Sequence, residues 1–62
     1  MDWKKIVLKL MQGGKTQAEV GRALGRPQSW VSAVANGHIT SLRWEDGQKL
    51  LALLAEVEQL AA

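Results

Sequence analysis

Side chains able to do covalent or metal chemistry are scarce in this chain. It has one His, no Cys and no Tyr, so His38 lacks a second His or a Cys with which to share a metal ion, and there is no thiol nucleophile. Glu45, Asp46, Glu56 and Glu58 fall in a C-terminal stretch of helical spacing and read as its solvated face, not as an acid/base pair. What remains is hydrogen-bonding chemistry. Gln28, Ser29 and Ser32 cluster within five residues, and an amide or hydroxyl both donates and accepts, as a reader of polar edges must. No enzyme activity, cofactor or small-molecule ligand is expected from this inventory.

The chain that carries these groups has 62 residues, 47% of them hydrophobic and 23% charged. That is one domain, too apolar to be disordered and close to the lower size limit for folding without disulfides. Its longest apolar run, Leu50 to Ala55, is far short of a membrane span, and Lys9 interrupts the stretch from Ile6 that a signal peptide would need. The expectation is a cytoplasmic, prokaryotic protein without a membrane partner. Its net charge of +2 is unevenly spread. Residues 1–26 carry six basic side chains against two acidic, and residues 44–62 one against four, which suits a front that meets a polyanion and a tail that faces away. A mixed solvated surface is the competing reading of the same charges.

Glycine and proline punctuate the chain at Gly13-Gly14, Gly25-Arg26-Pro27 and Asn36-Gly37. Between these marks Trp3, Ile6, Val7 and Leu10 form one helical stripe over residues 2–12. Thr16 and Glu19 fit a capping box that opens a second helix at about residues 17–24, stopped by Gly25. Pro27 suits the first turn of a third helix, at about 28–35, because that turn leaves its N–H groups unpaired in any case. Residues 38–42 lack a period and read as a loop, and a long helix follows over about 43–61. The prediction is an all-α fold, a small bundle of about four helices in a single domain spanning residues 1–62.

Helices 2 and 3 are each about two turns long and joined by a three-residue turn, the geometry of a helix-turn-helix. Gly21 at their crossing, Val20 and Leu24 on helix 2, Gly25 in the turn, and Val31 and Val34 on helix 3 supply the small and apolar residues that a steep crossing needs. Residues 17–37 resemble the DNA-binding unit of the Cro/CI-type (XRE) helix-turn-helix family of phage and bacterial regulators. The resemblance rests on Gln17 opening helix 2, Gly25 in the turn, Gln28-Ser29 opening helix 3, the core positions Val31 and Val34, and Asn36-Gly37 at the end. Helices 1 and 4 match more loosely, through Trp44, Gly47, Leu51 and Leu54. The family usually has Ala where Gly21 stands, which implies that Gly21→Ala is neutral or mildly stabilising. It usually has a smaller residue at the position of Trp30 and carries a fifth helix.

At about 100° per residue, Val31 and Val34 fall on one side of helix 3, and Ser32, Asn36 and Ser29 on the other, flanked by Gln28 and Ala33. One face is core; the other is small and polar and can enter a major groove about 12 Å wide. Gln28 suits a bidentate contact to adenine, and the family has such a contact at this position. Ser29 and Ser32 serve several bases, and the Ala33 methyl can touch a thymine methyl. Plain solvent exposure competes with base readout for these side chains. The resemblance implies phosphate contacts from Gln17 and Asn36, with Lys15, Thr16, His38, Thr40 and Arg43 extending them on either side. Trp30 reads as a partly buried ring packed on helix 1 or the loop, and Trp3 and Trp44 as anchors at the core edge.

Helix 4 carries two apolar stripes. Trp44, Gly47, Leu51 and Leu54 suit packing on helices 1 to 3, and Leu50, Leu53, Val57 and Leu60 repeat the spacing as a candidate homodimer seam, unless both merge into one broad core face. The resemblance and the composition together predict a sequence-specific regulator of Cro type, a repressor that binds an inverted-repeat DNA operator as a homodimer and acts by steric blocking. An antitoxin that binds its own promoter and uses a helix 4 stripe to hold a toxin is the alternative.

Overall fold

The computed structural model describes the backbone of residues 2–61 and the side chains of residues 2–59. Four helices follow one another, α1 Trp3–Gln12, α2 Gln17–Leu24, α3 Gln28–Ala35 and α4 Trp44–Ala61, and no described residue lies in a strand. The protein is a small all-α bundle in which α3 packs on α1 and α2, and α4 crosses α1 and α2.

Local chemistry accounts for each helix end. Asp2 caps α1 by accepting from the Lys5 N–H at 3.1 Å. At the start of α2, Thr16 Oγ1 accepts from the Glu19 N–H and Glu19 Oε1 from the Thr16 N–H, both at 3.1 Å, completing the capping box. Gly25 ends α2 in the left-handed region at φ 70°, where a side chain would be strained. This conformation lets the Gly25 N–H reach Arg22 O and the Arg26 N–H reach Gly21 O at 2.8 Å. Pro27 stays outside α3 in extended backbone, and its carbonyl accepts from Trp30 and Val31. The same pair of reverse bonds closes α3, from Gly37 to Val34 O and from His38 to Ala33 O.

The core consists of Val7, Leu10, Val20, Leu24, Val31, Val34, Ala35, Leu50 and Val57. This overturns the dimer seam expected on α4. Leu50 is fully buried, Val57 nearly so, and Leu53 packs half-buried against the same cluster; the side chain of Leu60 lies outside the described residues. With only two short helices and α1 to cover, α4 buries one broad arc, Asp46, Gly47, Leu50, Leu53, Leu54 and Val57, that draws on both stripes. Trp44 is the second correction: the first residue of α4, it is 77% exposed and lines an open surface groove with Trp3 and Leu51 instead of anchoring the core edge. Trp3 is half-buried against the core, as an anchor should be, and its ring lies over Gly47. Trp30 is likewise half-buried against the core.

Gly21 is buried where α2 meets the turn before α3. A methyl added there would stand 2.6 Å from the Arg26 carbonyl oxygen and 3.4 Å from Val31 Cγ2. The obstacle is backbone held by the Arg26 N–H bond to Gly21 O, so it does not yield as a flexible side chain would. The expectation that alanine is harmless here is therefore reversed. Gly21→Ala should destabilise the protein by about 1–3 kcal/mol through overpacking, outweighing the roughly 1 kcal/mol that alanine gains in helix propensity. Thermal unfolding checks this, at roughly 4–8 °C of melting temperature per kcal/mol in a domain of this size; an unchanged midpoint would mean that the turn moves aside freely.

Glu19 gives the capping box a pH signature. Hydrogen bonds from the Thr16 backbone and then its side chain hold the carboxyl below its ordinary value of 4.5, with help from Lys15 and Arg22. A carboxyl whose value falls on folding stabilises the folded state above its unfolded value and loses that contribution as pH drops through the folded one. The stability gap between the native protein and Glu19→Ala should be full at neutral pH and should narrow in denaturant titrations below pH 4.5.

Candidate nucleic-acid interface

The two faces of α3 have opposite fates. Val31, Val34 and Ala35 are buried, while Gln28 and Ser29 are exposed and Ser32 and Ala33 half-exposed. No charged side chain belongs to this helix, whose sequence is QSWVSAVA. The outward face therefore offers an amide, two hydroxyls and a methyl on a narrow helix. Asn36, exposed just after the last turn, donates from Nδ2 to Ser32 Oγ at 3.3 Å. That bond uses one of its two amide hydrogens; the other, and the Ser32 hydroxyl hydrogen, remain available to a ligand.

The flanking polar residues divide by place. His38, Thr40 and Arg43 are exposed along the segment from α3 to α4, at the side of α3 where its C-terminus lies. Gln17 is half-buried at the start of α2, where the first-turn N–H groups point outward. Thr16 and Lys15 are more constrained. The Thr16 oxygen is committed to the Glu19 N–H, and the Glu19 carboxylate occupies the helix end where an anion would sit. Lys15 lines a groove between α2 and α4 with Glu19, Arg22, Ala23 and Leu53. Both residues thus serve the α2 terminus and its charge balance before any contact beside α3.

The interaction that sequence reading missed joins Arg26 to Asp46. Arg26 Nη2 donates to Asp46 Oδ2 at 2.7 Å and Nε to Oδ1 at 3.4 Å, a forked pair between the α2–α3 turn and the first turn of α4. Asp46 is only 5% exposed, which corrects its reading as part of a solvated face. The hydrogen bond and charge of Asp46 raise the Arg26 guanidinium further above its ordinary range. The guanidinium carbon also lies 5.3 Å from the centroid of the Trp30 ring on α3, within cation–π range. One side chain thus ties the turn, α3 and α4 together, and although Arg26 remains partly exposed its charge is paired with Asp46. The available signal was that position 46 falls on the arc Gly47, Leu50, Leu54, Val57; a carboxylate on a buried arc requires a cation.

Among the described residues no group of His, Asp or Glu could hold a metal ion, and no helix is long and apolar enough to cross a membrane. Every buried side-chain polar atom described has a hydrogen-bond partner. Family models, curated proteins and solved structures match this chain nowhere. Its functional reading rests on its own side chains.

Arg26→Met and Asp46→Leu should each lower the melting temperature by several degrees, each leaving its partner without its fork. The double variant should lose clearly less than the two single losses together, since neither charge is then left alone. Unfolding midpoints of the four proteins check this; additive losses would mean that the two side chains act independently.

Proposed function

We propose that the protein binds double-stranded DNA sequence-specifically and represses transcription by occupying an operator as a homodimer. The observation that carries this reading is the outward face of α3, small, uncharged and rich in hydrogen-bonding groups, on a helix whose other face is locked in the core. In this reading α2, the Gly25 turn and α3 act as a helix-turn-helix, and α3 enters the major groove with its N-terminal residues against base edges. Gln28 pairs with an adenine through its amide, Ser29 and Ser32 bond neighbouring bases, and Ala33 meets a thymine methyl. Gln17 and Asn36 hold phosphates on either side of α3, and His38, Thr40 and Arg43 continue along the backbone. A unit of this size covers about 600–1,000 Å² of protein surface on DNA, too little for tight binding alone. Two copies reading half-sites about 34 Å apart supply the remainder.

Selection of bound duplexes from a randomised pool, at fixed salt, tests the reading; an enriched inverted repeat supports it, and recovery of no motif would sink it. On the recovered sequence, Gln28→Ala should cost about 1–3 kcal/mol and relax the preference at one base pair per half-site. Gln17→Ala should weaken binding to all sequences alike. Gel-shift titrations against single-base variants separate the two patterns, and a uniform loss for Gln28→Ala would remove base readout from α3.

A further inference from the structure

The outward face of α3 carries no charge, so any attraction that holds a polyanion against it comes from other segments. Six basic side chains lie in residues 1–26, and the fold commits half of them. Arg26 is forked to Asp46, and Lys15 and Arg22 gather around Glu19. The other three, Lys4, Lys5 and Lys9, are exposed on α1. At about 100° per residue, Lys5 and Lys9 stand roughly 100° and 140° around that helix from Lys4. It is Lys4 that the packing of α1 on α3 brings to the end of α3.

The contact is at Gly37. A Cβ placed on this residue would lie 3.7 Å from Lys4 Cδ, so the methylene stem of Lys4 runs beside the backbone that joins Asn36 to His38, with its ammonium two bonds farther on. Gly37 is itself held, at φ 79° with its N–H bonded to Val34 O at 3.1 Å. Asn36, His38 and Lys4 are all exposed. Among the described residues no side-chain hydrogen bond or salt bridge engages the Lys4 ammonium.

We propose that Lys4 binds a backbone phosphate of DNA at the C-terminal end of α3, its ammonium completing a cluster with the Asn36 amide and His38. This rests on the DNA-binding reading and adds to it a cation from a different helix. The charge suits a phosphodiester. No carboxylate occurs between Glu19 and Glu45, and the one nearest Lys4 in sequence, Asp2, is turned to the Lys5 N–H. Asn36 and His38 can position an anion but carry no fixed positive charge, and Lys4 supplies it. A cation beside a helix C-terminus also favours the helix dipole, a role that moves the melting temperature and leaves the salt dependence of DNA binding alone.

Titrations of a mixed-sequence DNA duplex over a range of salt concentrations test the contact, since non-specific binding rests on phosphates. Lys4→Gln should weaken binding and reduce the slope of log affinity against log salt by about 0.9 for each bound chain, the share of one phosphate contact. Lys4→Arg should keep the native slope. Lys5→Gln removes the same charge one position along α1 and should also keep it. A Lys4→Gln variant with the native slope would overturn the proposal, whatever its melting temperature, and so would a Lys5→Gln variant that loses as much. Either result leaves the DNA reading standing. A native chain that binds no duplex even at low salt would remove the DNA reading and the Lys4 contact together.

Discussion

The close crossing of α2 and α3 at Gly21 is the constraint on which the arrangement depends. Without a Cβ at that position, the α2 backbone comes against the Arg26 carbonyl and the Val31 side chain. The Gly25 turn then closes with two backbone hydrogen bonds, one of them returning to Gly21 itself. Residue, turn and crossing angle therefore form one unit. It drives Val31 and Val34 into the core beside Val20 and Leu24, and the direction of the opposite face of α3 follows from it.

A second tie holds that unit to the rest of the bundle. In a chain of this size the apolar core is small, and a two-turn helix such as α3 has little stability of its own. The Arg26 fork to Asp46, with the guanidinium also against Trp30, connects the turn to α4 at a point the aliphatic core does not reach. Such a pair adds little net stability over an apolar replacement, but its geometry is directional, and loss of one partner exposes the other to an unfavourable burial. Its contribution is to hold α3 and the start of α4 in one relative position. The charge it consumes explains why the basic N-terminal half of the chain offers fewer free cations than its composition implies. Lys15 and Arg22, grouped around Glu19, reduce the number further.

The proposed DNA-reading face and the charge that would draw DNA to it lie on different segments. The face of α3 carries hydrogen-bonding groups and no charge, as suits selection among base edges, while electrostatic attraction is left to the flanking segments.

Much of the fold was legible because its signals are local. Thr16 and Glu19, Gly25 and Pro27, and Asn36-Gly37 act through hydrogen bonds and backbone angles that span at most five residues, so they set the helix ends at Gln17, Leu24, Gln28 and Ala35 whatever surrounds them. The outward face of α3 was legible for the same reason, since periodicity around Val31 and Val34 leaves only one side for Gln28, Ser29 and Ser32. What depended on distant chain was not. Leu50 and Val57 are equally apolar at a dimer seam and in a core, and only the path of α4 across α1 and α2 assigned them to the core. Whether Asp46 met solvent or Arg26 was decided by two residues twenty positions apart. The exposure of Trp44 and the tightness at Gly21 likewise follow from where other helices stop or pass. Local hydrogen bonding and period are properties of short segments, whereas burial is a property of what arrives from elsewhere, and only the tertiary structure contains that.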